Sequence, residues 1–295
     1  MRYLPNPEQH WESPANTQSV DRKEMERRIG VTDAPLDVLS GGLANLNIHV
    51  GTTRVLRIYR RAPDAAKKEH ALLTRGWGSF RVPKVLSAGE DFLLLEHVPH
   101  GPVEATAARG AAVGQALAEI HAFTYPTAGF LDAATAISRP LPDFVDALRS
   151  HIETQLDGSA AAWTHLRHPI LQAISACAGP LRRLTDSPIL LHGDFKASNL
   201  HWSLDEELLV LDWEFAYAGP ALMDVGQLVR WTPSDLFCEA FADSYRSHGG
   251  TLPEDWRHWA GVLDLVNLVG LLGEADPGSQ RASDVLRRIR ETLDG

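Results

Sequence analysis

Short apolar runs separated by turn residues occur before residue 100, and longer stretches with helical spacing follow them. The runs at 36–39, 47–50, 54–59, 82–86 and 91–96 have the length and composition of β-strands. Helical spacing is present at 21–28, 64–74, 107–123, 142–156, 160–184, 234–248 and 254–272, with a break expected at Gly179-Pro180. The pattern therefore predicts a small sheet with one main helix, followed by a mainly helical region.

Two neighbouring segments each join an apolar run to polar side chains. Asp194 and Asn199 are five positions apart, a spacing that suits a loop whose ends point to one place. The apolar run 208–211 is short enough for a buried strand, and Asp212 lies where it ends. Two carboxylates and an amide oxygen that converge in this way suit Mg²⁺ better than zinc. A purely structural turn with His192, and a helix cap at Asp212, would use the same residues.

The order of these residues resembles the catalytic loop and the metal-binding strand of protein kinases. His192-Gly193-Asp194 stands where those enzymes have His-Arg-Asp, and Asp212-Trp213-Glu214 stands where they have Asp-Phe-Gly. Both changes, together with Ala218-Gly219-Pro220, are similar to the aminoglycoside phosphotransferase and choline kinase-like family. The resemblance covers roughly residues 38–271.

The resemblance implies an α+β, protein-kinase-like fold with two lobes. The N-lobe would be a small antiparallel β-sheet with one main helix, and the C-lobe would be larger and mostly helical. We expect residues 1–35 to form an N-terminal lead-in and a short helix, and residues 36–100 to form the nucleotide-binding lobe with a hinge near 96–101. Residues 102–295 would form the helical lobe with the catalytic loop and the acceptor site.

The resemblance also implies a role for each polar residue of the two segments. Asp194 would orient the acceptor hydroxyl and accept its proton, and Lys196 would stabilise charge on the transferring phosphoryl group. Asn199 and Asp212 would hold Mg²⁺ on the nucleotide phosphates. Glu214 would either bind a second metal ion or contribute charge at the edge of the cleft.

The nucleotide, ATP or GTP, would bind between the lobes. Arg57 stands where kinases have a phosphate-binding lysine, and it keeps the charge and the capacity for bidentate phosphate contacts. Glu69 on the main helix resembles its partner, although a surface pair of charges would give the same pattern. The glycines after the first strand lack the Gly-x-Gly-x-x-Gly pattern, so their assignment depends on position. The residues expected to contact the nucleotide are Gly41, Gly42, Asn45, Arg57, Glu69, and, through backbone atoms at the hinge, Glu96 and Val98.

Composition excludes several classes of protein. The 295 residues include 44% hydrophobic residues, enough for two ordinary cores, and the net charge of −10 disfavours a nucleic-acid-binding surface. Cys177 and Cys238 lie far apart, outside any metal or redox spacing. The N-terminus lacks a secretory signal pattern, and the sequence has no uninterrupted apolar stretch long enough for a membrane span. We therefore expect a cytoplasmic protein without nucleic-acid or membrane partners.

The predicted function is Mg²⁺-dependent transfer of a nucleotide γ-phosphate to a hydroxyl of a small molecule. An aminoglycoside-type or other cationic antibiotic is the expected acceptor, which would make the protein a resistance kinase. A metabolic kinase for choline, ethanolamine, a sugar or an amino-acid-derived alcohol is the alternative. Two further hypotheses are a regulatory pseudokinase and a metal hydrolase built on His192, Asp194 and His201. A protein kinase is disfavoured because no Ala-Pro-Glu segment follows Asp212.

Several later residues are candidates for contacts with a cationic acceptor. Acidic side chains on the predicted helix 142–156 and near the C-terminus could bind ammonium groups, and tryptophans could form a cation–π wall. Solvated helix faces and ordinary packing explain the same residues equally well. These candidates are Asp143, Asp146, Glu153, Asp157, Trp231, Trp256, Trp259, Asp264, Glu274 and Asp276.

Overall fold

The structure is a computed structural model that describes residues 3–11, 21–39, 45–60, 62, 64–159, 161–184, 186–231 and 233–294. Its strands are β1 (Leu36–Val38), β2 (Asn45–Val50), β3 (Arg54–Tyr59), β4 (Val85–Ala88), β5 (Phe92–Glu96), β6 (His100–Pro102), β7 (Gly129–Leu131), β8 (Ile137–Pro140), β9 (Ile189–Leu191), β10 (Leu200–Ser203), β11 (Leu208–Val210) and β12 (Tyr217–Gly219). Its helices are α1 (Arg22–Ile29), α2 (Ala65–Leu73), α3 (Ala107–His121), α4 (Phe144–Asp157), α5 (Arg167–Ala176), α6 (Ala178–Leu184), α7 (Leu222–Val229), α8 (Asp235–Ser247), α9 (Trp256–Gly273) and α10 (Gln280–Asp294), with short 3₁₀ helices at Pro7–His10 and Ala161–Leu166. Within these ranges, no helix combines the length and apolar composition needed to cross a membrane.

The predicted five-stranded antiparallel sheet is confirmed, with the strand order β1-β2-β3-β5-β4. Because side chains alternate between the faces of a strand, β3 divides its residues between two environments. Leu56 and Ile58 pack with Met25 of α1 in a small apolar cluster on one face. Tyr59 belongs to the main core, and Arg57 contacts Glu69 of α2. The alternation therefore directs the charge of Arg57 toward the interior of the molecule and away from solvent.

The C-terminal region is mainly helical, as predicted, and its apolar core is continuous with the α2 side of the sheet. The helices α3 and α8 approach closely at Gly114, where a Cβ atom would overlap the carbonyl oxygen of Phe241. Two small sheets, ordered β11-β10-β6 and β8-β7-β12-β9, cross this region. They fix the ends of β9, β10, β11 and β12, which carry the polar segments singled out by the sequence.

Two helical boundaries differ from the sequence prediction. The break between α5 and α6 falls at Cys177, and Pro180 lies within the first turn of α6. A proline is tolerated there because the amide groups of a first helical turn have no intrahelical acceptor. The C-terminal helix α10 was not predicted. It buries Ala282, Val285 and Ile289. These three side chains form a narrow apolar stripe on a helix whose sequence is otherwise mostly polar.

The N-terminal segment also differs from the loose lead-in that its prolines suggested. In residues 3–11, the Leu4 amide donates to the Val103 carbonyl at 2.9 Å, and Trp11 Nε1 donates to Asp284 Oδ2 at 3.0 Å. Between these two contacts lies the 3₁₀ helix Pro7–His10. The segment is therefore fastened across the helical region by contacts that are remote in sequence.

Candidate active site

The loop between β9 and β10 has a backbone that only glycine fits at one position. Gly193 has φ +81°, and a Cβ atom there would overlap the carbonyl oxygen of Phe215. Asp224, at the start of α7, accepts hydrogen bonds from the His192 and Gly193 amides at 2.7 and 2.9 Å. This contact ties the loop to α7. His192 braces it from the other side, since its Nε2 lies 2.9 Å from the Leu211 carbonyl.

Asp194 lies at the centre of this loop with one contact on each carboxylate oxygen. Asn199 Nδ2 donates to Asp194 Oδ2 at 2.7 Å, and the Lys196 ammonium lies 3.2 Å from Oδ1. The Asp194 side chain is 19% exposed. Burial raises its pKa, with Lys196 acting in the opposite direction. The structure therefore brings together Asp194, which the sequence predicted to be the base, and Lys196, its predicted cationic neighbour.

Asp212 follows β11 in a left-handed backbone conformation, with φ +68°. This conformation is uncommon for a residue with a side chain, although aspartate tolerates it better than most. The Leu211 amide donates to the Asn199 carbonyl at 2.9 Å, so the end of β11 is joined directly to the loop. The two predicted metal ligands, Asn199 and Asp212, therefore lie on neighbouring segments joined by a backbone hydrogen bond, and their shared role stays a prediction.

Arg57 is 7% exposed and lies among three carboxylates. Its Nε lies 3.5 Å from Glu69, and its Nη2 contacts both Asp212 and Glu214, the latter at 3.4 Å. Burial acts to lower the pKa of the guanidinium, but Glu69 and Asp212 outweigh it and hold the pKa above its ordinary value. The predicted contact with Glu69 is present. The contacts with Asp212 and Glu214 were not foreseen.

Glu69 is only 1% exposed, so a solvated helix face is excluded for it. The Tyr59 hydroxyl donates to Glu69 Oε2, and the Trp213 amide donates to Oε1 at 3.3 Å. The carboxylate therefore links β3 and α2 to the segment that follows β11. Tyr59 was not singled out in the sequence, where it reads as an ordinary apolar strand residue.

The donor atoms near Asp212 fit a hard divalent cation such as Mg²⁺. Three carboxylates surround one guanidinium, and burial followed by the charge of Asp212 raises the pKa of Glu214 to about 7. Asn199 uses its amide nitrogen on Asp194, and among the described residues its side-chain oxygen makes no hydrogen bond. An excess of negative charge with available oxygen donors is the environment that Mg²⁺ requires.

The predicted nucleotide contacts are distributed along the same cleft. Asn45 is buried and donates to Glu214 at 2.8 Å, while its Oδ1 is buried without a hydrogen bond. The Glu96 side chain pairs with Arg81 at 2.9 Å, and the Val98 amide makes no hydrogen bond to the described chain. Gly41 and Gly42 lie outside the described residues. Asn45 thus orients Glu214, and a role for it toward the nucleotide stays a prediction.

Glu8 is a component of the site that the sequence did not indicate. Its carboxylate accepts hydrogen bonds from Lys196 Nζ at 2.9 Å, Arg230 Nη1 at 3.0 Å and Trp231 Nε1 at 3.0 Å. Arg230 is also held by both oxygens of Asp264 at 2.8 Å. No local motif marks Glu8, because the residues it contacts are 188 to 223 positions away in the sequence. The prolines near it indicate only a loop.

The acidic residues suggested for a cationic acceptor are largely paired with arginine. Asp143 and Asp146 bind Arg182 at 3.0 and 2.8 Å, and Asp264 is buried with Arg230. Glu153, Asp157 and Glu274 pair with Arg149, Arg167 and Arg281 respectively. Trp256 packs in the core, and Trp231 binds Glu8. The carboxylates of α4 therefore have arginine neighbours, and their contact with a cationic acceptor stays a prediction.

The two histidines of the metal-hydrolase hypothesis make separate contacts. His192 Nε2 binds the Leu211 carbonyl, and His201 Nε2 lies 2.9 Å from the Ser198 carbonyl. Burial lowers the pKa of His201 to about 4. Each ring is thus engaged by a backbone carbonyl through its Nε2 atom. This geometry gives the hydrolase hypothesis no support.

Comparisons with known proteins agree with this fold. A thermostable mutant of the aminoglycoside phosphotransferase APH(4)-Ia, in complex with ADP and hygromycin B, has a TM-score of 0.68 at 16% identity, over 94% of this chain and 98% of its own. The aminoglycoside phosphotransferase APH(2")-IIa, in complex with streptomycin and ATP, has a TM-score of 0.65 at 15% identity, over 95% and 97%. The macrolide 2'-phosphotransferase MphH from Brachybacterium faecium has a TM-score of 0.65 at 18% identity, over 90% and 96%. No curated protein matches the chain by sequence.

These similarities show that the chain has the protein-kinase-like fold. The family model described as the phosphotransferase enzyme family, APH, matches residues 36–262. The chain belongs to this family. It is a phosphotransferase that acts on a hydroxyl group.

The contacts of Glu8 predict a pH-dependent contribution to stability. Burial acts to raise its pKa, but Arg230 and Lys196 outweigh it and lower the pKa from 4.5 to about 2. A lowered pKa in the folded state stabilises the fold above pH 4.5 and loses this effect as pH falls toward 2. We expect Glu8→Gln to reduce the free energy of unfolding by up to about 3 kcal/mol at neutral pH.

Urea unfolding of both proteins across this pH range provides the measurement. The difference between wild type and Glu8→Gln should shrink steadily between pH 4.5 and 2. Glu90→Gln, at an exposed position, is the matched control and should follow the wild type throughout. A difference for Glu8→Gln that stays constant with pH would show that its carboxylate charge does not stabilise the fold.

Proposed function

We propose that this protein transfers the γ-phosphoryl group of ATP or GTP to a small-molecule hydroxyl in a Mg²⁺-dependent reaction centred on Asp194. The observation that carries this proposal is the convergence of Asp194, Asn199 and Asp212 at one edge of the cleft. Phosphoryl transfer requires the protein mainly to position reactants and to neutralise charge. The site contains a group suited to each of these tasks.

In the proposed mechanism, Asp194 orients the acceptor hydroxyl and accepts its proton as the new bond to phosphorus forms. Lys196, 3.2 Å from Asp194, stabilises negative charge on the transferring group. Arg57 binds the nucleotide phosphates and is positioned by Glu69. The Glu96 carbonyl and the Val98 amide face the nucleotide base.

Asn199 and Asp212 would hold Mg²⁺, which neutralises charge on the nucleotide phosphates during transfer. Arg57 contacts Asp212 and Glu214, so metal binding must compete with the guanidinium for these carboxylates. Release of Arg57 toward the phosphates would then accompany metal binding. Glu214 is proposed to serve as an additional ligand, because it contacts the same Arg57 nitrogen as Asp212. Burial and then the charge of Asp212 raise its pKa to about 7, which a bound cation would counteract.

The role of Asp194 is tested by Asp194→Asn, which keeps the shape of the side chain and removes its basicity. We expect turnover to fall by roughly 10² to 10⁴, in line with loss of a positioned base. Nucleotide affinity should change little, because Arg57 and Asp212 remain. The measurement is steady-state kinetics together with nucleotide titration, with Asp186→Asn at an exposed position as the matched control. Full activity in Asp194→Asn would refute the assignment.

Asp212→Asn tests the metal site. We expect the variant to bind ATP equally with and without Mg²⁺, because a carboxylate ligand is lost. The wild type should bind ATP more tightly when Mg²⁺ is present. Calorimetric titration of ATP at several Mg²⁺ concentrations measures this dependence, and Asp205→Asn, at an exposed turn, is the control. A Mg²⁺ dependence that survives Asp212→Asn would place the metal elsewhere.

For the acceptor, the first candidate is an aminoglycoside-type or other cationic antibiotic. It is supported by the net charge of −10 and by similar structures that are named aminoglycoside phosphotransferases. The second candidate is a metabolic kinase for choline, ethanolamine, a sugar or an amino-acid-derived alcohol. It is supported by the arginine partners of Asp143, Asp146 and Asp157, which leave little free acidic surface on α4 for a polycation.

A panel of acceptors separates these candidates. Purified protein with MgATP would be given aminoglycosides, macrolides, choline, ethanolamine and simple sugars, and nucleotide consumption would be measured. Under the first candidate, one antibiotic accelerates turnover and gains the mass of one phosphate. Turnover with only choline, ethanolamine or a sugar would reject the resistance kinase in favour of the metabolic one.

A further inference from the structure

The N-terminal segment, residues 3–11, reaches the catalytic loop from outside the family-matched region, which begins at residue 36. It is fastened on both sides of Glu8 by contacts remote from the reacting groups. The Leu4 amide binds the Val103 carbonyl, and Trp11 packs edge-on against Trp231 with ring centroids 5.4 Å apart. Asp284 of α10 accepts the indole hydrogen bond of Trp11. These anchors fix the position of Glu8 independently of its own ion pairs.

Glu8 pairs with two cationic side chains, Lys196 and Arg230, which would each have one carboxylate partner fewer without it. Its Oε1 binds Arg230 and Trp231, and its Oε2 binds Lys196 at 2.9 Å. The Glu8 side chain is 12% exposed, and that of Arg230 is 2% exposed. Buried ion pairs of this kind are held closely, because loss of one partner leaves the other charge uncompensated in a poorly solvated place.

Lys196 is shared between two carboxylates, but not equally. Its contact with Glu8 is a hydrogen bond of 2.9 Å, whereas Asp194 Oδ1 is 3.2 Å away in an ion pair. Asp194 Oδ2 already accepts a hydrogen bond from Asn199. Oδ1 is therefore the oxygen that remains for the proton of the acceptor hydroxyl. A full hydrogen bond from Lys196 to Oδ1 would compete for that oxygen.

We propose that Glu8 is a positioning residue, which anchors the Lys196 ammonium beside Asp194 and prevents it from occupying the proton-accepting Oδ1 atom. The inference rests on the proposed function, since it assumes that Asp194 is the base. Without the negative charge of Glu8, Lys196 has Asp194 as its nearest carboxylate and moves onto it. The base is then blocked, although the nucleotide site at Arg57 and Asp212 is unchanged.

A double-mutant cycle with Glu8→Gln and Lys196→Met tests this coupling. Rates would be measured with MgATP alone, where water is the acceptor, and then with the acceptor that the panel identifies. We expect Glu8→Gln to lower kcat on the order of 10- to 100-fold, as for misplacement of a reacting group. The KM for ATP should be unchanged. In the Lys196→Met background, Glu8→Gln should have no further effect on kcat, because no ammonium remains to be positioned.

Gln9→Ala is the matched control, since Gln9 is exposed on the same 3₁₀ helix and should leave kcat unchanged. If Glu8→Gln does not fold, Glu8→Asp enters the same cycle. This variant keeps the charge on a shorter side chain, and we expect its kcat to be lower than that of the wild type. When Lys196→Met is also present, Glu8→Asp should not lower kcat further.

Two outcomes would overturn the proposal. An equal loss of kcat in both backgrounds would mean that Glu8 only fastens the segment, and an unchanged kcat would mean that Lys196 needs no anchor. Either result together with an inactive Asp194→Asn variant would leave the proposed function intact. A fully active Asp194→Asn variant would overturn the function itself.

Discussion

The pairing of the buried Arg57 guanidinium is the interaction on which the geometry of the cleft depends. A buried cation without partners would cost several kcal/mol, so the chain must bring carboxylates to it. Glu69 comes from α2, and Asp212 and Glu214 come from the segment after β11. One charge on β3 therefore connects the sheet, its helix and the helical lobe. The same excess of carboxylates that satisfies Arg57 provides oxygen atoms for a divalent cation, so structural and functional requirements coincide at this point.

The catalytic loop is held by side chains from a different element, which keeps its geometry independent of the ligand. Asp224 and Gln227 of α7 bind the amides of His192, Gly193 and Phe195 at 2.6–2.9 Å. His121 in turn contacts Asp224, with its other ring nitrogen on Tyr245. Backbone groups of a loop are expensive to bury unpaired, and here α7 supplies the missing partners. The position of Asp194 is thus set by a polar network that does not involve the substrate.

The sequence predicted what local patterns and short motifs encode. The strand β3 was predicted with its observed bounds, because an apolar run between turn residues is a strong local signal. The helix predicted over 21–28 is also observed as α1, which begins at the Asp21 cap. The helix break was predicted at Gly179-Pro180 but lies at Cys177. The prediction was wrong because a proline, which usually ends a helix, is equally acceptable in a first helical turn. The arginine partners of the α4 carboxylates could not be predicted, since they depend on how α4 packs against α6 and its neighbours.

Glu8 illustrates why the candidate site was only partly accessible from the sequence. Asp194, Lys196 and Asn199 are close in sequence and form a motif, whereas Glu8 reaches them only through the docking of residues 3–11 on the helical lobe. Its charge completes an alternating series in which Asp194 faces Lys196, Lys196 faces Glu8, Glu8 faces Arg230, and Arg230 faces Asp264. In such a series each charge is held by opposite neighbours, so a change at one end alters the balance at the other. Asp194, the proposed base at one end of the series, therefore depends on a segment that no motif near Asp194 identifies.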